Sequence, residues 1–114
     1  MKRIAVIGSR CFDDAELVAS VLTPLLPFVL VSGAARGADT LGEAFADQCG
    51  LDKLIFPAEW KKHGVGAGYL RNITLIDHSD EVIAFWNGHS RGTKHAMDYA
   101  REQGKFIRAI SVNC

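Results

Sequence analysis

Arg36 is the lone basic group in the stretch VSGAARGADT (residues 31–40), where glycines and alanines leave few other side chains before Asp39. Glycine lets backbone N–H groups approach a ligand closely, and the amides that open a helix carry partial positive charge. A Gly-rich turn running into a helix is therefore a ready cradle for an anion. A guanidinium in the same turn meets a phosphate with a planar fork of donors. Ser32, Gly33 and Gly37 thus serve either a tight strand-to-helix turn or a phosphate. Arg36 serves either solvent or that phosphate, and Asp39 either the helix start or a ribose hydroxyl.

The stretch NGHSRGT (87–93) has the same character. Asn87, Gly88 and Gly92 tolerate special backbone conformations, so the loop can curl its amides around an anion, with Ser90 and Thr93 at the helix start. An ordinary capped helix is the alternative. Gly8, Ser9 and Arg10 form a shorter turn of this kind. The reading gathers Arg36, Gly37, Gly92 and Thr93 around one phosphate.

For chemistry beyond binding, cleavage of a glycosidic bond needs a carboxylate near the anomeric carbon. Asp39 and Glu59 are the acids available, and Glu59 is favoured because no cap or helical pattern accounts for it. Trp60 offers either a ring to stack on a base or an anchor for its loop, and Trp86 reads as core or crevice wall. His89 and His95 are six positions apart, while His63 and His78 read as surface residues. Metal-ligand spacing is absent, so no metal and no cofactor is assigned.

Positioning these residues requires elements, and apolar runs alternate with helical patterns along the chain. RIAVIG (3–8), FVLVS (28–32), KLIFP (53–57), EVIAFW (81–86) and KFIRAISV (105–112) read as strands, the last less apolar and so an edge. Helices are expected from about Asp13 with Leu17, Val21, Leu22 and Leu25 on one face, and from about Ala38 with Leu41, Phe45 and Cys49 before Gly50. A third carries Leu70, Ile73 and Ile76 inward, after a polar loop AEWKKHGVGAG, and a fourth runs from about Ser90 to Gln103. Strands separated by helices imply a parallel sheet with helices on both faces, in the order 3-2-1-4-5. Ligands of such sheets sit beyond the carboxyl ends of the strands, which is where GSR, SGAARGAD, PAEWKKHG and NGHSRGT fall.

The 114 residues read as one domain, able to bury its own core. Thirteen basic residues balance thirteen acidic ones, so the uniform positive field of an extended nucleic-acid binder is missing. Cys11, Cys49 and Cys114 show neither a paired zinc spacing nor a C-x-x-C motif, and read as reduced thiols in a cytosol. Leu17 to Ala35 is charge-free, but Pro24, Pro27, Ser32 and Gly33 fit a helix, a turn and a strand rather than a membrane span. The expectation is a soluble cytoplasmic protein.

The segments VSGAARGADTLGEAFA, FPAEWKKHGVGAGYLRN and DEVIAFWNGHSRGTKHAMDYAREQGK together resemble the SLOG superfamily, in particular its small stand-alone YspA-like, YpsA-related branch. The same superfamily includes DprA and the LOG phosphoribohydrolases. The resemblance carries Arg71 and Asn72, which match an Arg-Asn pair, although Arg71 could equally tie down the adjacent loop by pairing with an acid. It implies a Rossmann-like fold, a nucleotide or nucleotide-derived ligand and self-association through helices. LOG enzymes follow the Gly-Thr turn with glutamates, whereas here Lys94, His95 and Ala96 follow Thr93. Three functions follow: a ligand-binding sensor, a hydrolase of a nucleotide-derived substrate, or a DprA-like binder of single-stranded DNA, which the neutral charge disfavours.

Overall fold

The apolar runs become strands because only a sheet covered on both faces can bury continuous stretches such as IAVI and VIAF. The computed structural model describes the backbone of residues 1–114 and the side chains of 1–105 and 108–114. Five strands, β1 (Arg3–Gly8), β2 (Val29–Ser32), β3 (Lys53–Ile55), β4 (Glu81–Trp86) and β5 (Phe106–Ser111), form one sheet. Every pairing in it is parallel, in the order β3-β2-β1-β4-β5. The α/β Rossmann-like expectation holds, down to the strand order and to β5 at an edge.

Alternation along β1 and β4 divides two cores. Ile4, Val6, Ile83 and Phe85 face α1 (Ala15–Leu22) and α2 (Ala38–Cys49), where Val18, Leu22, Phe45 and Ala46 meet them. Ala5, Ile7, Val82 and Ala84 face α4 (Ala67–Asp77) and α5 (Arg91–Glu102), through Leu75, Ile76, Ala96, Met97 and Ala100. Burial of each large apolar side chain contributes roughly 1.5–3 kcal/mol, which places the main driving force in these two layers.

Helix ends follow the caps. Asp14 accepts from the Leu17 N–H at 3.0 Å to start α1 at Ala15, two residues after the expected Asp13, and a 3₁₀ turn over Thr23–Leu25 ends it. Gly50, at φ 68°, closes α2 in the left-handed conformation that lacks a steric cost only for glycine. The loop expected after β3 is partly helical: α3 (Trp60–His63) and a 3₁₀ turn over Gly64–Gly66 lead into α4. The inward face of α4 agrees with expectation at Ile76 and differs at Leu70. Asn72, Leu75 and Ile76 are buried while Leu70 is 46% exposed, because the preceding turns set a helical phase that spacing alone did not fix.

The expectation of three free thiols is corrected. Cys11 and Cys114 form a disulfide across 103 residues, with Cα atoms 5.7 Å apart, and only Cys49 is free among the described residues. The loop after β1 leans over the end of β4, where the Asn87 amide donates to the Cys114 carbonyl at 3.4 Å. Sequence spacing could not disclose that meeting. Among the described residues no helix is long and apolar enough to cross a membrane.

Candidate functional site

In a parallel sheet all carboxyl ends lie on one edge, so the Gly37 and Gly92 turns share that edge. Gly37 (φ 79°, ψ −125°) begins α2 in a conformation that side chains rarely adopt. A Cβ there would fall on the Ser9 carbonyl oxygen and lie 2.8 Å from Arg10 Cα, so the glycine lets the loops after β1 and β2 touch. The buried Ser9 hydroxyl then accepts from the Asn87 N–H at 3.1 Å, linking the loops after β1 and β4.

Asp39 is 5% exposed, and its Oδ2 accepts from the Gly33 and Ala35 N–H groups at 3.1 and 3.3 Å. The carboxylate thus ties down the Gly-rich turn. Burial pushes its pKa up to about 6, opposed by those two hydrogen bonds and by the charge of Arg71, and reinforced by Glu43. Glu43 lies one helical turn beyond Asp39 and accepts from the Ser32 hydroxyl at 2.8 Å. Sequence reading overlooked Glu43, although its i+4 spacing from Asp39 is a usable signal.

Arg71 and Asn72 act as a strut. Arg71 Nη1 donates to the Gly33 carbonyl at 2.6 Å and Nε to Asn72 Oδ1 at 2.9 Å, while Asn72 Nδ2 donates to the Gly92 carbonyl at 3.2 Å. The pair joins the β2 loop to the start of α5, from one turn inside α4. The partner of Arg71 is therefore a carbonyl rather than the acid considered from sequence. Burial lowers the pKa of this guanidinium, the charge of Asp39 opposes the shift and that of Arg10 adds to it.

At α5, Ser90 Oγ accepts from the Thr93 N–H at 3.4 Å and bonds Thr93 Oγ1 at 2.9 Å. Asn87 Oδ1 accepts from the His89 and Ser90 N–H groups at 2.9 and 3.0 Å, and Trp86 Nε1 donates to the Ser90 carbonyl at 3.0 Å. The helix start is capped and its loop held rigid. Trp86 thus packs against the core under α4 and α5, the first of its two sequence readings, with its donor satisfied.

These elements enclose a cavity of about 70 Å³ walled by Gly8, Arg10, Asp39, Arg71, Ser90 and Thr93, with Asn72 and Gly92 beside them. The sequence-derived set is only partly united here. Arg36 is exposed and faces an adjoining cavity of about 350 Å³ with Gly33 and Trp60, and neither Arg36 nor Gly37 lines the first. Gly88, with φ 85° and nothing near its Cβ position, serves the turn alone. Ser9 and Ser32 brace loops from beneath. Glu59 lies in a third cavity, of about 300 Å³, where its side chain is 62% exposed and 3.8 Å from Lys62 Nζ. Asp39 and Glu59 therefore face different spaces, with Arg71 bordering both.

Among the described residues the ion pairs involve none of Arg10, Arg36, Arg71 and Arg91. No three His, Cys, Asp or Glu side chains among them are grouped to hold a metal.

Residues 2–63 match the model of the YspA, cpYpsA-related SLOG family. The Gene 61 protein of Mycobacterium phage D29 is 35% identical over 115 residues, covering 91% of this chain and 92% of that protein. The DNA processing protein A (DprA) of Streptococcus pneumoniae superposes with a TM-score of 0.81 at 23% identity over 99% of this chain. The match takes in 51% of the DprA chain, about half its length. At that identity the likeness speaks to fold, and the fold agrees in full extent.

Proposed function

We propose, from the premise that this chain belongs to the YspA, cpYpsA-related SLOG family, that it binds a nucleotide or nucleotide-derived ligand and acts as a ligand sensor. One observation carries the reading. The cavity at the carboxyl edge of the sheet is bounded by Arg10, Arg71 and the start of α5, with neither arginine paired to an acid. A cavity of about 70 Å³ walled by these groups suits a small anion such as a phosphoryl group. Arg10, exposed and unpaired, supplies charge, the start of α5 at Gly92 supplies the positive end of a helix, the Thr93 hydroxyl adds a polar group, and Arg71 and Asn72 bridge the two loops.

Titration calorimetry with ribose 5-phosphate and nucleoside monophosphates tests this. Arg10→Ala removes a charge-assisted contact worth roughly 1.5–3 kcal/mol, so affinity falls by about one to two orders of magnitude. Unchanged affinity in the folded variant overturns the site. Arg36→Ala separates two arrangements: an equal loss places Arg36 on the same phosphate, and a smaller one places it on the ligand's outer part.

A hydrolase is the second reading, favoured by one observation: Asp39 borders the phosphate cavity with its pKa raised to about 6. Release of free base during incubation with nucleotides, abolished by Asp39→Asn or Glu59→Gln, would establish it. The sensor reading expects intact nucleotide. Oligonucleotide binding with a steep salt dependence would instead identify a DprA-like role on single-stranded DNA.

A further inference from the structure

Beyond the phosphate cavity lies a space of about 220 Å³ lined by Trp60, Val65, Tyr69, Arg10, Arg71 and Gly92. Arg10 and Arg71 border both spaces, so the two are neighbours across these guanidinium groups. Its apolar side is conspicuously wet. Trp60 is 51%, Val65 95% and Tyr69 44% exposed, although this chain has two well-filled cores in which to place large apolar groups. Exposed apolar surface gathered on one wall of a polar crevice marks a binding site rather than a packing remainder.

Each ring has a neighbour on one side. The outer edge of Trp60 lies over Gly68, where an added Cβ would come within 3.4 Å of Cη2. Tyr69 meets His95 edge-on with ring centroids 4.6 Å apart. Half-exposed rings lining one space with arginines outside any salt bridge fit a ligand that is anionic at one end and flat and apolar at the other. Neither a free phosphate nor a sugar phosphate has the second half.

We propose that Trp60 and Tyr69 form the base subsite of this chain, stacking the nucleobase of a ligand whose phosphate sits between Arg10 and the start of α5. The inference rests on the phosphate reading above and adds the ligand's other half. Trp60 is the principal platform. Stacking is tolerant of base identity because every base has a flat face, so the subsite selects nucleotides over sugar phosphates more than one base over another.

The test compares AMP, GMP, CMP and UMP with ribose 5-phosphate, titrated into the wild-type chain, Trp60→Ala, Trp60→Phe and Tyr69→Ala, each confirmed as folded by circular dichroism. The wild type is expected to bind the monophosphates more tightly than ribose 5-phosphate. Trp60→Ala should lose roughly ten- to hundred-fold for the nucleotides while ribose 5-phosphate affinity stays within about two-fold, and Trp60→Phe should recover most of the loss. Equal wild-type affinity for nucleotide and ribose 5-phosphate, or a Trp60→Ala variant with unchanged selectivity, overturns the base subsite and leaves the phosphate site standing. A wild type that binds neither class overturns both. A Trp60→Ala change in oligomeric state without a change in nucleotide affinity also overturns the subsite, assigning the apolar wall to contact between copies.

Discussion

At the scale of single residues, Asp39 shows how a side chain suited to two tasks is committed by its surroundings. Both N–H groups that it accepts converge on Oδ2, so one oxygen holds the Gly33–Ala35 turn. Burial raises its pKa to about 6, whereas aspartate in an unfolded chain titrates near 4. The folded state holds this proton more tightly, so the group's contribution to stability is fully present below about pH 4 and is lost as pH rises through about 6. The loss amounts to about 2–3 kcal/mol. Asp39→Asn keeps an oxygen for the two N–H groups and removes the titration. Urea unfolding between pH 4 and 7.5 should therefore show the variant gaining on the wild type as pH rises, and parallel stability curves would refute the assignment. The acid was conspicuous in the sequence, yet its job was not. A helix-start acid and a loop-tying acid look alike until burial and the positions of Gly33 and Ala35 are known.

At the scale of elements, the strands and the order of the sheet were legible because period and alternation reflect burial directly. The four carboxyl-end loops could likewise be placed on one edge from topology alone. What the sequence left unread lies where two loops touch. Gly37 and Gly50 both adopt positive φ, at 79° and 68°, and both flank α2. Around Gly50 there is open space, whereas Gly37 is pressed against the backbone of Ser9 and Arg10. Gly50→Ala should therefore cost only about 1 kcal/mol, the ordinary penalty of a left-handed alanine. Gly37→Ala adds a backbone collision to an unfavourable conformation and should cost roughly 2–4 kcal/mol, displacing the loop that carries Arg10. Thermal unfolding of the two variants checks the contrast, and equal destabilisation would show that the β1 and β2 loops are not in contact. Trp60 was legible as a ring that could stack on a base, whereas Tyr69 was obscured for a related reason. The polar run AEWKKHGVGAG gave no sign of α3, and the helical phase of α4 decides which of its residues faces the crevice.

At the scale of the whole molecule, a formal net charge of zero conceals a polarity along the strands. Arg10, Arg36, Arg71 and Arg91 stand at the carboxyl edge of the sheet outside any salt bridge among the described residues, with Asp39 the acid whose charge acts on Arg71, while at the opposite edge Lys2 pairs with Glu81. An anionic ligand therefore meets a local positive field that the charge total does not reveal. The reach of that field is limited. Arg3 opens β1 and Arg10 follows its end, and the strand between them spans roughly 17 Å, about twice the Debye length at physiological ionic strength. Arg3→Gln and Arg10→Gln change the net charge identically, so any difference between them measures position alone. Phosphate-ligand affinity should fall as salt rises from 0.05 to 0.5 M in the wild type and in Arg3→Gln with the same slope. Arg10→Gln should bind more weakly at low salt and lose less on going to high salt, because the charge being screened has already been removed. The same titrations on both variants decide the matter. If Arg3→Gln flattened the salt dependence as much as Arg10→Gln, the attraction would belong to the molecule's overall charge, and the crevice arginines would have no privileged part in capturing the ligand.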